Sequence, residues 1–448
     1  MKIEKSAIGV FEEFAEDYLN FEKTPKKNIF WLDTMEFLCN RFGNPELACP
    51  SIHVAGSKGK GSVSMMIARI LDEAGYRTGL YSSPHILDFI ERIGSCKGPF
   101  EEAVYEKSVK ELIDFVRSVK TEDLPGERPI TWFELVTLLG ILSFANAGCD
   151  YSVYEVGLGG RLDATNVLKP EVCCINQIEL EHTEFLGDTV EKIAAEKGGI
   201  IKQNTPVFVA EQTESVKQVF KKIAGDKSAP IFFVDEISNI SQIVYKNTQL
   251  HCTISSIFFK RPLNVTLNML GDFQTRNAAM AALAVKQVLP DLDETIIERG
   301  LEKAILPGRF EISGNIVYDG AHTVKSIGFT METFEKIFSN QGPINAHLLF
   351  GCAADKEVEK IATLFKGKFT KVTITKPGNV KESDIERLKA AFDDVNIEYF
   401  SCADYLKAIP YAVSKANEEN AILLVTGSFY LVSEVKKFLL SQKCLYCQ

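Results

Sequence analysis

The chain has no long apolar run, no basic excess and no cysteine framework, and each absence narrows what it can be. Its longest apolar stretches, such as 135–145, fall short of the roughly 20 residues that span a bilayer. The N-terminus is acidic and mixed, without the basic and apolar regions of a secretory leader. Together these predict a cytoplasmic protein with no membrane association. Asp and Glu number 60 against 50 Lys and Arg, a net charge of −10. That balance argues against nucleic acid as a partner, since a nucleic-acid groove needs a basic field. Lys58, Lys60, Arg161 and Arg309 can still hold smaller anions if the fold concentrates them. The 11 cysteines are odd in number and irregularly spaced, and read as free thiols. Cys444-Leu445-Tyr446-Cys447 has redox or zinc spacing but no second pair, and reads as an incidental tail. Repeats and low-complexity tracts do not stand out.

One segment carries chemistry. Gly56-Ser57-Lys58-Gly59-Lys60-Gly61-Ser62 follows the apolar run 51–54. It precedes a helical recurrence of Val63, Met66, Ile67, Ile70, Leu71 and Ala74, with Gly75 just beyond. Glycines let turn N–H groups face an anion, and the helix N-terminus adds partial positive charge. Lys60 can reach outer phosphates and Ser62 can hold Mg²⁺. The spacing departs from the standard P-loop, because Val54 stands where the first glycine belongs. A bare Gly/Lys turn is usually only a turn; strand before and helix after favour nucleotide binding. The segment reads as a shortened phosphate cradle and the chain as a user of ATP.

The rest is α/β alternation with ample core. At 448 residues, 46% hydrophobic and 25% charged, the chain exceeds one ordinary domain. Strand-like runs at 51–54, 78–81, 151–155 and 172–175 alternate with helical patterns, among them 133–147 and 189–197. Such alternation predicts a mainly parallel sheet covered on both faces. Residues 231–268 carry β-type runs without clear helices, which predicts a small antiparallel patch. An Ala-rich helix follows over 277–288, with Asn277 placed to open it as an N-cap. Near 306 the pattern restarts, with strands at 316–318, 347–350, 372–375, 397–400 and 422–426 and five helix-like segments. The expected architecture is a P-loop-type α/β domain over 1–305 and a smaller Rossmann-like α/β domain over 306–448. Ligands in open α/β sheets gather at the carboxyl ends of strands. That rule collects 56–62, 82–83, 155–160, 181–182, 319–322 and 427–428 as candidate site loops.

Together these segments resemble the folylpolyglutamate synthase/dihydrofolate synthase family, within the Mur-type ligases. The resemblance rests on the cradle, Tyr81-Ser82-Ser83-Pro84-His85, and Glu155-Val156-Gly157-Leu158-Gly159-Gly160-Arg161-Leu162-Asp163-Ala164-Thr165-Asn166. It continues through Glu181-His182-Thr183, Glu196-Lys197-Gly198-Gly199, Leu306-Pro307-Gly308-Arg309-Phe310, Asp319-Gly320-Ala321-His322 and Thr426-Gly427-Ser428, in family order. It implies that ATP phosphorylates a pteroate or folate carboxylate, and that the amine of L-glutamate then attacks the acyl phosphate. It also implies a monomer whose two domains close over the nucleotide, with the Pro307-Gly308 region as hinge.

By the same resemblance Gly56, Gly59, Lys60, Gly61 and Ser62 hold the phosphates, and Asn277, Arg309 and Asp319 contact the rest of the nucleotide. Ser62, Ser83, Glu155 and His182 match the Mg²⁺ ligands, with one or two metal sites and room for a monovalent cation. From chemistry alone Ser83 and Glu155 suit Mg²⁺ and His182 does not, because Mg²⁺ prefers oxygen. Lys197 matches a lysine that the family carbamylates; without the family it would simply complement a helix C-terminus. His322 matches a group beside the transferring phosphate. Thr131, Phe133, Glu134, Arg161 and Asp163 match the pterin side, although Phe133 equally suits helix core. Arg309 and Asp319 alternatively form an interdomain ion pair. The form Arg161-Leu162-Asp163 resembles members that accept both dihydropteroate and reduced folate.

Four departures stand out. Ser57-Lys58 replaces Thr-Asn, Glu181 replaces Asp, Thr323-Val324 replaces Asn-Pro, and the first 50 residues match poorly. Two other readings compete. One is a Mur-type ligase of UDP-linked precursors, which usually carries a UDP-binding domain before the cradle, where only about 55 residues stand. The other is a nucleotide-binding regulatory homologue without turnover, against which the retained Lys60, Ser83, Glu155, His182, Arg309, Asp319 and His322 argue.

Overall fold

The structure is a computed structural model that describes residues 5–20, 31–338 and 344–445. Tyr446 and Cys447 of the tail motif lie outside them. Two compact units emerge. The first comprises residues 1–243, 252–266 and 273–304, and the second 244–251, 267–272 and 305–448. Among the described residues no helix is long and apolar enough to cross a membrane.

The first unit is built on a seven-stranded sheet. Its strands are β1 (Ser51–Ala55), β2 (Thr78–Tyr81), β3 (Ile93–Gly94), β4 (Tyr151–Glu155), β5 (Val172–Ile175), β6 (Val207–Val209) and β7 (Ile231–Phe233), in the order β3-β2-β4-β1-β5-β6-β7. All neighbours run parallel except β2 and β3. Every residue of β1 is buried, as expected where helices cover both faces. On one face Ala55, Cys173, Ile175, Val207 and Val209 form a core with Ala194, Val216 and Phe220 from helices Val190–Gly198 and Glu214–Asp226. Helix Phe273–Val288 packs on β5, β6 and helix Lys60–Glu73.

The expected small patch is a three-stranded sheet of β8 (Ser238–Lys246), β9 (Gln249–Ser256) and β10 (Leu263–Leu267), in the order β10-β9-β8. Asn247 and Thr248, both at positive φ, join β8 to β9. A two-residue connection of that kind permits only an antiparallel hairpin. The run at 231–233 is not part of this patch; as β7 it pairs with β6 in the main sheet.

The second unit carries a six-stranded sheet of β11 (Glu311–Ser313), β12 (Ile316–Tyr318), β13 (Ala346–Phe350), β14 (Lys371–Ile374), β15 (Phe400–Ser401) and β16 (Ile422–Thr426), ordered β11-β12-β16-β13-β14-β15. Only the β11–β12 pair is antiparallel. The α/β class expected from alternation is therefore what both units adopt. One strand differs. Residues 397–399 are not in the sheet, and β15 holds only Phe400 and Ser401. Asn396 turns into the left-handed region just before it, so the apolar run begins before the chain has reached the sheet edge.

Candidate active site

Strand register sets the site. Val54 aligns with Glu155, Tyr81 with Tyr154, and Ala55 with Ile175. The strands β1, β2, β4 and β5 therefore end together, and their following loops lie side by side at the carboxyl edge of the sheet. Helix Lys60–Glu73 starts from Gly59, which has φ +78°. That left-handed conformation suits glycine, and a Cβ there would also sit 2.2 Å from Asn176 Nδ2. The cradle is stitched to the loop after β5. Ser57 N–H donates to the Gln177 carbonyl at 2.9 Å, and Ser57 Oγ accepts from Glu179 N–H at 3.0 Å. Serine in place of threonine thus keeps the hydroxyl that the loop uses.

Three lysines meet around one carboxylate. Lys60 Nζ and Lys197 Nζ each donate to the Gly56 carbonyl at 3.0 Å. Lys197 also pairs with Glu181 Oε1 at 3.0 Å, and Lys58 Nζ lies 3.9 Å from Glu181 Oε2. Two of the departures from the family pattern, Lys58 and Glu181, therefore face each other. Burial alone would raise the Glu181 carboxyl, but Lys197, Lys60 and Lys58 outweigh it and hold it below its ordinary value. Burial, reinforced by Lys60 and opposed by Glu181, pushes Lys197 down to about 8. Lys197 does lie in the last turn of helix Val190–Gly198, and its side chain, 2% exposed, also turns inward onto Glu181. An amine so placed spends a substantial fraction neutral near pH 8, which reaction with CO₂ requires.

Glu155, at the end of β4, accepts the Ser83 N–H at 3.2 Å, which brings two metal-side residues together. His182, at φ +46°, precedes the single-turn helix Thr183–Leu186. Burial lowers its pKa, with the three lysines adding to the effect and Glu181 opposing it, so the imidazole is neutral. Among the described residues no group of three or more His, Cys, Asp or Glu could hold a metal ion. The available donors are the hydroxyls of Ser62 and Ser83, one carboxylate and one neutral imidazole. The oxygen donors fit Mg²⁺, which binds through one or two carboxylates and completes its shell with phosphates and water.

Asn277 does not open its helix. It lies in the second turn of Phe273–Val288, where Oδ1 accepts from Asn176 Nδ2 at 2.8 Å and Nδ2 donates to Gln274 Oε1 at 2.7 Å. Of the pterin-side candidates, Thr131 and Glu134 form a capping box at the start of helix Trp132–Ala147. The half-buried Phe133 ring occupies the space a side chain at Gly157 would need. Asp163 is buried and accepts from Leu158 N–H at 2.9 Å and Thr165 N–H at 3.0 Å, while burial raises its carboxyl. Arg161 is exposed and pairs with Glu196 at 3.0 Å.

In the second unit Asp319 and His322 follow β12. Asp319 accepts from Phe310 N–H at 2.8 Å and Ala321 N–H at 2.7 Å, and burial raises its carboxyl against the pull of Ala321 and Arg309. The Arg309 guanidinium stacks on Phe429 at 4.1 Å. His322 Nδ1 lies 2.8 Å from the Gly320 carbonyl. The Thr323 departure is locally useful: its Oγ1 accepts from Ser326 N–H at 3.2 Å, capping helix Val324–Phe338.

Residues 54–285 match the Mur ligase middle domain and residues 308–429 the Mur ligase glutamate ligase domain. The folylpolyglutamate synthase of Lacticaseibacillus casei is 30% identical over 429 residues, covering 91% of this chain and 94% of that protein. The chain belongs to the folylpolyglutamate synthase/dihydrofolate synthase family of ATP-dependent glutamate ligases. Within that family, the dihydrofolate synthase/folylpolyglutamate synthase of Bacillus subtilis is 29% identical over 425 residues, covering 91% of this chain and 94% of its own length. The crystal structure of Thermotoga maritima folylpolyglutamate synthase superposes with a TM-score of 0.81 at 28% identity, covering 97% of both chains. The chain spans about half (48%) of the length of probable bifunctional folylpolyglutamate synthase/dihydropteroate synthases from Haloferax volcanii and Halobacterium salinarum.

Sequence reasoning missed three residues. Asn176 follows β5 directly and was within reach of the strand-end rule. Gln274 stands three residues before Asn277, on the same helix face. Asp355, after β13, has its carboxyl pushed up by burial but held below its ordinary value by Lys356, then by a backbone N–H, with His322 the smallest contribution.

Proposed function

We propose that the chain joins L-glutamate to dihydropteroate, and to the glutamate tail of reduced folates, using ATP. The observation that carries this reading is the convergence of Lys58, Lys60 and Lys197 on Glu181 and the Gly56 carbonyl at the N-terminus of a helix. Lys58 and Lys60, set in a glycine-rich turn at a helix N-terminus, suit a polyphosphate, and the buried Lys197 stands beside them for carbamylation. Gly56, Gly59 and Gly61 offer backbone N–H groups to the phosphates, and Lys60 exchanges its carbonyl partner for a phosphate oxygen. Asn277, Arg309 and Asp319 hold the rest of the nucleotide, and His322 stands beside the transferring phosphate.

Ser62, Ser83, Glu155 and His182 would hold Mg²⁺, which supplies charge neutralisation for the phosphoryl group. Lys197 acts as its carbamate, turning a buried cation into an anionic group. Thr131, Phe133, Glu134, Arg161 and Asp163 bind the pterin side. The amine of glutamate attacks the acyl phosphate, and exclusion of water prevents its hydrolysis. The protein works as a monomer.

ADP release tests this reading, measured with glutamate plus either dihydropteroate or tetrahydrofolate. Release with both is expected. Release with neither contradicts the assignment, and release with one alone narrows it to that substrate. A ligase of UDP-linked precursors finds no support among the relatives described, which are folate enzymes.

A further inference from the structure

A buried chain of side-chain amides runs over the cradle. Asn176 Oδ1 accepts from the backbone N–H of Gln177 at 3.1 Å, and its Nδ2 donates to Asn277 Oδ1 at 2.8 Å. Asn277 Nδ2 donates to Gln274 Oε1 at 2.7 Å, and Gln274 Nε2 donates to Ser62 Oγ at 3.3 Å. All four side chains are buried, Gln274 to 1% exposure. The chain passes directly above Gly59, where a Cβ would lie 2.2 Å from Asn176 Nδ2 and 2.9 Å from Asn277 Oδ1.

Its polarity is fixed from one end. A backbone N–H can only donate, so the Gln177 N–H must meet the carbonyl oxygen of Asn176. The Asn176 NH₂ group then faces Asn277, which must turn its own oxygen toward it and its NH₂ toward Gln274. Gln274 answers with oxygen and is left presenting NH₂ to Ser62. Flipping any one amide would set donor against donor or acceptor against acceptor inside the protein, which is costly. The Ser62 hydroxyl therefore accepts at one lone pair, and the other remains for a cation.

We infer that Gln274 is a positioning residue that orients the Ser62 hydroxyl for the metal of MgATP and couples it to the base-side residue Asn277. This rests on the ligase reading, in which MgATP binds the cradle. The physical consequence is that the two ends of the nucleotide site cannot be perturbed separately. Loss of the central amide releases Ser62 on one side and Asn277 on the other.

The test is calorimetric binding of ADP and GDP to the full chain across a Mg²⁺ titration, with thermal unfolding measured alongside. Gln274→Met keeps the side-chain length and removes both hydrogen bonds. It is expected to raise the Mg²⁺ concentration needed for ADP binding about tenfold, the effect typical of lost outer-shell support, and to narrow the preference for ADP over GDP. In a Ser62→Ala background it should shift the Mg²⁺ requirement no further. Should Gln274→Met fail to fold, Asn176→Ala, three links away from Ser62, is expected to shift both quantities in the same directions. A lowered melting temperature with unchanged Mg²⁺ requirement and base preference overturns the inference and leaves the ligase reading intact. A wild-type protein that binds no ADP at any Mg²⁺ concentration overturns both.

Discussion

Gly59→Ala is the most discriminating perturbation of the cradle. At φ +78° an alanine pays the left-handed penalty of roughly 1–2 kcal/mol. Its methyl would also lie 2.2 Å from Asn176 Nδ2, so Asn176 must move. Displacing it breaks the 2.8 Å bond to Asn277 and leaves a buried amide unsatisfied, at about 1–3 kcal/mol. The combined cost is roughly 2–5 kcal/mol, which lowers the melting temperature of a unit this size by roughly 3–8 °C. Gly148 is the natural comparator. It caps helix Trp132–Ala147 at φ +63° with nothing within 4 Å of a built Cβ, so Gly148→Ala should show the backbone penalty alone. Scanning calorimetry of the two variants separates the terms, and ADP titration should show weakened binding only for Gly59→Ala. Equal melting temperatures for the two variants, with wild-type ADP affinity in both, would refute the packing argument.

Further expectations concern three lysines. Lys60→Ala should lower kcat/KM for ATP by about a hundredfold or more, while circular dichroism and melting temperature stay close to wild type, since Lys60 is half-buried and its Nζ donates to a loop carbonyl. Lys197 has a folded pKa of about 8 against an ordinary 10.5. Between those values the folded protein binds fewer protons than the unfolded one. Stability in carbonate-free buffer should therefore rise between pH 8 and 10.5, by about 3 kcal/mol, and urea titrations should show that rise absent from Lys197→Met. With ¹³C-bicarbonate the wild type should give a carbamate resonance that Lys197→Met lacks. Far from the cradle, Lys286 is buried against Glu294 at 3.1 Å and donates to the carbonyls of Pro290 and Leu292. Lys286→Met removes the cation from that carboxylate, which keeps the Lys260 N–H at 3.0 Å, and should cost about 2–3 kcal/mol in denaturant unfolding, with kcat unchanged.

What could be read from the sequence follows its physical contrasts. The strands β1, β4 and β5 are apolar runs bounded by turn residues, and their limits lie within a residue of expectation. Strands β6 and β7 are only three residues long, too short to separate from their surroundings. Helix Phe273–Val288 was expected to start at 277 because its first turn carries Gln274, Thr275 and Arg276. Gln274 and Thr275 are nonetheless buried, since their polar groups are satisfied inside the protein. Lys197 was hidden for a related reason: nothing in hydropathy distinguishes a lysine that complements a helix end from one turned inward onto Glu181. Lys58 and Glu181 each looked like an isolated departure, and only the fold places them opposite one another. Sequence patterns report burial and periodicity well, and report poorly on polar groups that compensate each other across the fold.

The central claim is that the acid substrate is activated by phosphorylation of its carboxylate. Dihydropteroate labelled with ¹⁸O in that carboxylate, turned over with ATP and glutamate, tests it directly. The account predicts inorganic phosphate carrying one ¹⁸O atom, since the bridging oxygen leaves with the phosphate when the amine attacks. Phosphate free of label, released together with the glutamate adduct, would contradict it.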